Sequence, residues 1–249
     1  MPATALPDGR VLVVGGAEVG SGQEPSPAAP AEVFDPATGT WQPAPAPTLD
    51  ASYRVALQLA DGTVLFAGGW SDWARNGSAV AERFDARSGA WLAAAPMSVA
   101  RYYHAGVALP DGRVLMAGGT YIGGWRIGPI SYDHQSTEAY DPLANVWAAT
   151  GPMQAVRVGH ALALLPGARL LAVGGQDEDD PSAEVLDLVA GTWRVVGSTS
   201  VHRLYGHTAT PLPDGRIMVL GGSDQPDVEI FDPTTETWLT AGPGPPTED

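Results

Sequence analysis

The chain has 249 residues, 44% of them hydrophobic and 16% charged, a globular composition sufficient for one large domain or two small ones. It contains no Cys, and all thirteen of its basic side chains are Arg, which excludes disulfides, thiolate metal ligands, cysteine nucleophiles and lysine Schiff bases. The formal net charge of −15 argues against nucleic acid or an anionic membrane as partner, since both reward a basic patch.

No run of eighteen apolar residues is present, and the start MPATALPDGR has neither a basic nor an apolar leader region. A cytoplasmic protein is expected, and with it a monomer.

From the N-terminus onward the chain repeats itself. Gly-Gly recurs at 15–16, 68–69, 118–119, 174–175 and 221–222, each pair closing an aliphatic run such as RVLVVGG or RIMVLGG. Downstream of each pair a Glu stands three residues before an Asp, and a Trp six residues after that Asp. The five sets are Glu32, Asp35, Trp41; Glu82, Asp85, Trp91; Glu138, Asp141, Trp147; Glu184, Asp187, Trp193; and Glu229, Asp232, Trp238.

Each unit reads as four short strands. Asp-Gly at 8–9, 61–62, 111–112 and 214–215, with Pro166-Gly167 in the fourth unit, joins the first two strands and predicts a hairpin turn with positive φ at both central residues. The third and fourth strands flank DPATGTW and its variants, a second tight polar turn. One four-stranded meander buries too little apolar area to stand alone, so the units must pack on one another.

The pattern PDGRVLxxGG, ExFDPxTxxW and ARYxHA, spread over nearly the whole chain, resembles kelch repeats. The double Gly, the aromatic before Asp (Phe34, Phe84, Tyr140, Phe231) and the Trp are that family's diagnostic positions, and the fourth unit departs with Leu186. Kelch units form propeller blades whose first strand lies nearest the axis. The resemblance therefore implies an all-β fold, a single five-bladed kelch-type β-propeller of four-stranded antiparallel blades spanning 1–249. The blades run over about 1–45, 51–96, 101–152, 157–197 and 204–242. Each unit begins at a first strand and ends just beyond a fourth, so closure is expected from side-chain packing between blades one and five, without strand exchange.

In such a meander the hairpin turns lie at one end of each blade. The second-to-third-strand loops and the blade connections lie at the other, and sorting residues by end gives an asymmetry. Trp70, Trp73, Trp125, Tyr121 and Tyr132 fall in the loops, and Tyr53, Tyr102, Tyr103 and Tyr205 in the connections. His104, His134, His160, His202 and His207 share this end with Arg54, Arg75, Arg101, Arg126, Arg157 and Arg203. Aromatics and His gathered on loops read as a binding surface. His104, His160 and His207 recur fourteen residues before a Gly-Gly, so for them a role in holding blades together competes with a ligand role.

The leading expectation is a propeller that binds a small polar, anionic or aromatic ligand in an axial pocket. Arg54, Arg101, Arg157 and Arg203 supply charge; His104, His134, His160 and His207 supply hydrogen bonds; Tyr53, Tyr103, Tyr205, Trp70, Trp73, Tyr121, Trp125 and Tyr132 supply walls. Alternatively each Arg pairs with the motif Glu or Asp of a neighbouring blade. An enzyme of isomerase or lyase type stays open, with His160, His207, Tyr103 or Tyr205 as acid-base, as does a metal held axially by His104, His160 and His207. A third reading is a scaffold for acidic peptides, as in kelch domains that capture them with Arg from matching connections. The family's copper-radical and iron-dependent activities are not implied, because the Cys of the first and the Glu-x-x-x-Asp-x-x-x-His pattern of the second are missing.

The acidic run Asp177, Glu178, Asp179, Asp180 reads as a solvated loop. Eighteen residues separate Gly119 from Glu138, against six between Gly222 and Glu229, so the third blade's loop is expected to reach out as a lid.

Overall fold

Asp8-Gly9 and its counterparts at 61–62, 111–112 and 214–215 each turn the chain between two short strands, but not in the expected way. Only the glycines have positive φ, between 85° and 88°, and Gly9 N–H donates back to the Leu6 carbonyl at 3.0 Å. This is a type I turn closed by a left-handed Gly, which leaves Asp free to accept from the backbone two residues on, as Asp8 does from Arg10 at 3.1 Å. Type I′ geometry would have needed positive φ at Asp as well.

In a computed structural model of the chain, residues 3–14, 31–48, 52–71, 76–123, 130–175, 182–222 and 227–243 are described. Among them there is no helix. The first sheet holds β1 (Ala3–Ala5), β2 (Val11–Val13), β3 (Ala31–Asp35) and β4 (Thr40–Ala44). In the second, β5 (Val55–Gln58) and β6 (Val64–Ala67) are followed by a two-stranded ribbon, β7 (Trp70–Ser71) with β8 (Asn76–Gly77), and then by β9 (Ala81–Asp85) and β10 (Ala90–Ala93). The third repeats that plan: β11 (Ala105–Ala108), β12 (Val114–Ala117), a ribbon of β13 (Thr120–Gly123) and β14 (Ile130–Asp133), then β15 (Thr137–Asp141) and β16 (Val146–Ala149). The fourth is β17 (Ala161–Leu165), β18 (Arg169–Val173), β19 (Ser182–Asp187) and β20 (Thr192–Ser198). The fifth is β21 (Thr208–Pro211), β22 (Ile217–Leu220), β23 (Asp227–Asp232) and β24 (Thr237–Pro243). All five large sheets take their strands in sequence order, and among the described residues none borrows a strand from another.

The chain divides into two compact units, one of Met1–Leu115, Thr120–Tyr132 and Glu138–Ala148, the other of Met116–Gly119, Asp133–Thr137 and Ala149–Asp249. In each, the core lies between the faces of successive sheets. Leu12, Val14, Ala31 and Val33 of the first unit meet Val64, Phe66 and Phe84. In the second unit Leu171, Val173 and Val185 meet Ile217, Val219 and Phe231. These side chains are under 10% exposed. Strands β6 and β18, buried at nearly every position, carry the near-continuous apolar runs VLFA and LLAV, whereas β3 alternates buried Ala31 and Val33 with exposed Glu32. First strands run alongside one another: β5 beside β1 and β11, and β17 beside β21.

The motif aromatics and Trp pair across the third and fourth strands. Phe34–Trp41, Tyr140–Trp147 and Phe231–Trp238 each have ring centroids 5.0 Å apart, and Phe84–Trp91 5.2 Å.

Candidate functional site

The Arg residues expected to gather around a ligand are buried, and each is paired with the motif Glu of its own unit. Arg54 Nη1 donates to Glu82 at 2.6 Å and Arg101 Nη2 to Glu138 at 2.9 Å. Arg157 Nε reaches Glu184 at 3.0 Å, and Arg203 Nη2 reaches Glu229 at 2.8 Å. No side chain in these four pairs is more than 3% exposed. The alternative to a ligand clamp, pairing with a carboxylate, places that carboxylate on a neighbouring blade; the four Arg pair instead with the third strand of the sheet they enter.

The Glu carboxylates hold more than the Arg. Glu82 accepts from Thr48 N–H at 3.0 Å, and Glu138 from Ser98 N–H at 2.7 Å and Ser98 Oγ at 2.6 Å. Glu184 accepts from Gln154 N–H at 2.6 Å, and Glu229 from Ser200 N–H at 2.7 Å. Every one of these donors lies on the connection entering the sheet, three residues before Arg101, Arg157 and Arg203 or six before Arg54. The connection is thus pinned by charge-assisted bonds to a buried carboxylate. In the second unit of the repeat Arg54 stands at the His position, and its guanidinium also lies 5.6 Å over the Phe66 ring.

The repeat-phased His residues occupy a second half of this joint. Gly69, Gly119 and Gly175 N–H donate to the carbonyls of Arg101, Arg157 and Arg203 at 2.9, 2.8 and 2.7 Å. The first Gly of each pair carries the ring: a Cβ at Gly68, Gly118 or Gly174 would stand 2.4–2.6 Å from Cε1 of His104, His160 or His207. His207 Nε2 lies 2.8 Å from the Val173 carbonyl. Full burial, with Arg101 nearby, pushes His104 down to about 3, and a weak contact to the Ala67 backbone, short of a well-formed hydrogen bond, offsets part of that. Burial lowers His207 as well. Each imidazole sits against a different Gly, and among the described residues no three His, Asp or Glu side chains form a metal-holding group.

The aromatic residues do come together. Tyr53 and Tyr103 have ring centroids 4.6 Å apart, Tyr102 and Tyr103 5.0 Å, and Trp70 and Tyr102 5.0 Å edge to face. Beside them, Tyr121 and Tyr132 stack at 4.9 Å with 13° between planes. The two ribbons position these rings: Ile122 N–H of β13 donates to Asn76 Oδ1 of β8 at 2.8 Å, and Tyr102 pairs through its backbone with Thr120. Tyr53 is 54% and Tyr132 42% exposed. Tyr205 belongs to the other unit, where its ring packs on Gly159. His134 is half-buried and exchanges backbone bonds with Gly119 and Arg157. Trp73, Trp125, Arg75, Arg126 and the run Asp177 to Asp180 lie outside the described residues.

Tyr53 and Tyr103 have φ of 57° and 53°, in the left-handed region that bulky side chains avoid. The matching residues just before His160 and His207 are Gly159 and Gly206, both with φ of 76°. The sequence carried this signal as Tyr in a column otherwise held by Gly, one residue before the repeat His or its Arg54 replacement. The ribbons leave little trace in the sequence, with Asn76-Gly77 a local hint of the first.

No protein-family model matches the chain, and no curated protein matches it.

Proposed function

We propose that the five sheets are the blades of a kelch-type β-propeller, and that its loop and connection end binds a small ligand with a planar or sugar ring on the Tyr53, Tyr102, Tyr103 surface. Adjacency of first strands within each unit supports the blade reading. In it, the ring closes by packing of blade faces, in keeping with the described sheets, each of which is made of its own four strands.

The observation that carries the ligand reading is the backbone at Tyr53 and Tyr103. A non-Gly residue held at φ near 55° costs about 1–3 kcal/mol, and two other units of the same repeat avoid that cost with Gly. Two strained tyrosines, in contact with each other and one of them more than half exposed, are what a stacking surface requires and what backbone geometry alone disfavours. The buried guanidinium charges are already neutralised by Glu, so stacking and Tyr hydroxyls, rather than an Arg clamp, recognise the ligand.

Ligand-observed NMR with a panel of aryl glycosides tests this. Binding is expected to the wild-type chain and to vanish in Tyr53→Gly and Tyr103→Gly. Those substitutions relieve strain while loosening the unfolded chain, so unfolding free energy should move by less than about 1 kcal/mol. A large loss of stability with no aryl glycoside bound by the wild type would mean the tyrosines serve packing alone.

A further inference from the structure

Tyr53 and Tyr103 stand at matching places, each two residues before the first strand of its sheet, β5 at Val55 and β11 at Ala105, and those strands lie side by side within one compact unit. Each residue is held from both directions along the chain. On one side Ser52 exchanges backbone bonds with Trp70 at 2.8 and 2.7 Å, and Tyr102 with Thr120 at 2.9 Å. On the other, buried Arg54 pairs with Glu82 and buried His104 packs on Gly68. With φ held at 57° and 53°, the two phenol rings meet at a centroid distance of 4.6 Å and an angle of 52°.

Phenols so placed have a chemistry of their own. A one-electron oxidant turns tyrosine into a phenoxyl radical whose unpaired electron lies partly on the ring carbons ortho to oxygen, and two such radicals in contact couple there. In the coupled product, a biaryl, two ring radii and one carbon–carbon bond separate the centroids, scarcely less than the separation here, and crowding beside the new bond keeps the rings inclined, as these already are. Tyr121 and Tyr132, stacked with 13° between planes, would have to leave their stack to reach that geometry. Proximity fixed in advance makes the coupling effectively unimolecular.

Three further features direct oxidation to this pair. Tyr53 is 54% exposed, so an oxidant reaches it and the released proton goes to water. The ring contacts continue from Tyr103 to Tyr102 and from Tyr102 to Trp70, each at 5.0 Å, so an electron vacancy formed at Trp70 passes through touching rings to the tyrosines, which hold it at lower energy once the phenol proton has left. The chain has no Cys, hence no thiol of its own to quench the radical and no disulfide to act as a cross-link.

We propose that Tyr53 and Tyr103 are a dityrosine modification site, coupled by peroxide and a peroxidase-type one-electron oxidant into a covalent staple between the connections entering the second and third sheets. Each phenol gives one electron to the oxidant and its hydroxyl proton to water. A bond forms between one ortho carbon of each ring, and the hydrogen on each of those carbons moves to that ring's oxygen, restoring the phenol. One peroxide takes up the two electrons and two protons and leaves as two waters. Joined, the residues close the second repeat into a covalent loop, which restricts the unfolded chain. The site needs the two phenols and water alone, and stands whether or not a ring-bearing ligand stacks on them.

The test treats the dilute full chain with hydrogen peroxide and a haem peroxidase. Blue dityrosine fluorescence is expected in a monomer, with a yield independent of protein concentration. Trypsin, which cuts this Lys-free chain at Arg, should release residues 11–54 and 102–113 as one species, lighter than the two peptides by two hydrogens. That species should vanish in Tyr53→Phe, fall about tenfold or more in Tyr103→Phe and persist in Tyr102→Phe, since only the first two remove a pre-positioned phenol. It should also be lost when the wild type is oxidised unfolded in urea. Phe keeps the ring, and urea midpoints of the unoxidised variants separate lost chemistry from lost fold; oxidation should raise the midpoint of the wild type and not that of Tyr103→Phe. The proposal is overturned if the wild type gives no linked species, if Tyr102→Phe rather than Tyr103→Phe removes it, or if dityrosine forms only between molecules or between Tyr121 and Tyr132.

Discussion

Arg157 Nε lies 3.0 Å from Glu184 Oε1, both side chains are fully buried, and the residues stand 27 apart in sequence. The same guanidinium donates to the Gly174 and Ser182 carbonyls at 3.0 Å, so one side chain fastens the connection to the ends of two inner strands. Arg157→Met should cost about 3–5 kcal/mol in urea unfolding, because Glu184 is left charged in an apolar setting. Arg157→Met with Glu184→Leu should recover part of that. Recovery stays incomplete, since Gln154 and Ala155 N–H lose their acceptor. A loss under 1 kcal/mol for the single variant would show that water reaches the carboxylate.

Stability should fall on mild acidification. An unfolded His takes its proton near pH 6.5, whereas His104 in the fold resists until about pH 3, because burial and then Arg101 oppose the charge. Between these values the unfolded chain binds more protons. The stability that neutral His104 contributes is therefore whole above pH 6.5 and is lost as pH drops toward 3, by up to about 1.4 kcal/mol per pH unit. His207, also lowered by burial, adds to the effect in the same direction. Urea midpoints at pH 7.5, 5.5 and 4.5 measure it, and His104→Gln should flatten the profile relative to wild type. A midpoint constant over that range would contradict the buried neutral ring.

Gly174 and Gly191 share nearly the same backbone, with φ of 71° and 69°, but differ in surroundings. A Cβ at Gly191 meets nothing within 4 Å, while at Gly174 it would fall 2.6 Å from both the Arg203 carbonyl and His207 Cε1. Gly191→Ala should therefore cost only left-handed strain, about 1–2 kcal/mol. Gly174→Ala should cost clearly more, because the clash is with backbone and a ring that is itself bonded to Val173. Thermal unfolding of the two variants side by side decides this; equal losses would mean that the ring does not pack on Gly174.

The repeat was legible because its signature residues each satisfy a local physical need that survives in one dimension: Gly where a ring abuts the backbone, Asp-Gly where the chain turns, Trp opposite an aromatic. Four-stranded sheets follow from those spacings. The partner of each Arg was not legible, since Glu and Arg are both spaced regularly and linear order does not say whether Arg157 meets Glu184 or the preceding unit's Glu138. The turn type was missed for a similar reason: Asp-Gly suits both I′ and type I with a left-handed Gly, and the preceding Pro7, Pro110 and Pro213 decide for the second by fixing negative φ ahead of Asp. The tyrosine surface was visible as composition, but its order depends on ribbons β7–β8 and β13–β14, short pairings with hardly any alternation to read.

The fourth sheet's departure from the aromatic pair has a consequence of its own. Trp193, opposite Leu186, is buried to 4% exposure with no acceptor for its indole N–H, while half-buried Trp147 stacks on Tyr140 and donates to Ala95 at 2.7 Å. An unmet buried N–H costs about 1–3 kcal/mol, whereas a formed hydrogen bond contributes about 0.5–1.5 kcal/mol. Trp147→Phe should thus destabilise by about 1–2 kcal/mol, losing the bond and part of the stacking. Trp193→Phe gives up apolar area but also removes the unmet donor, so its effect should stay within about 1 kcal/mol of zero. Guanidinium unfolding of both, with the near-ultraviolet spectrum confirming retained packing, measures the difference; a greater loss at Trp193 would show that its ring volume, not its polar atom, governs that position.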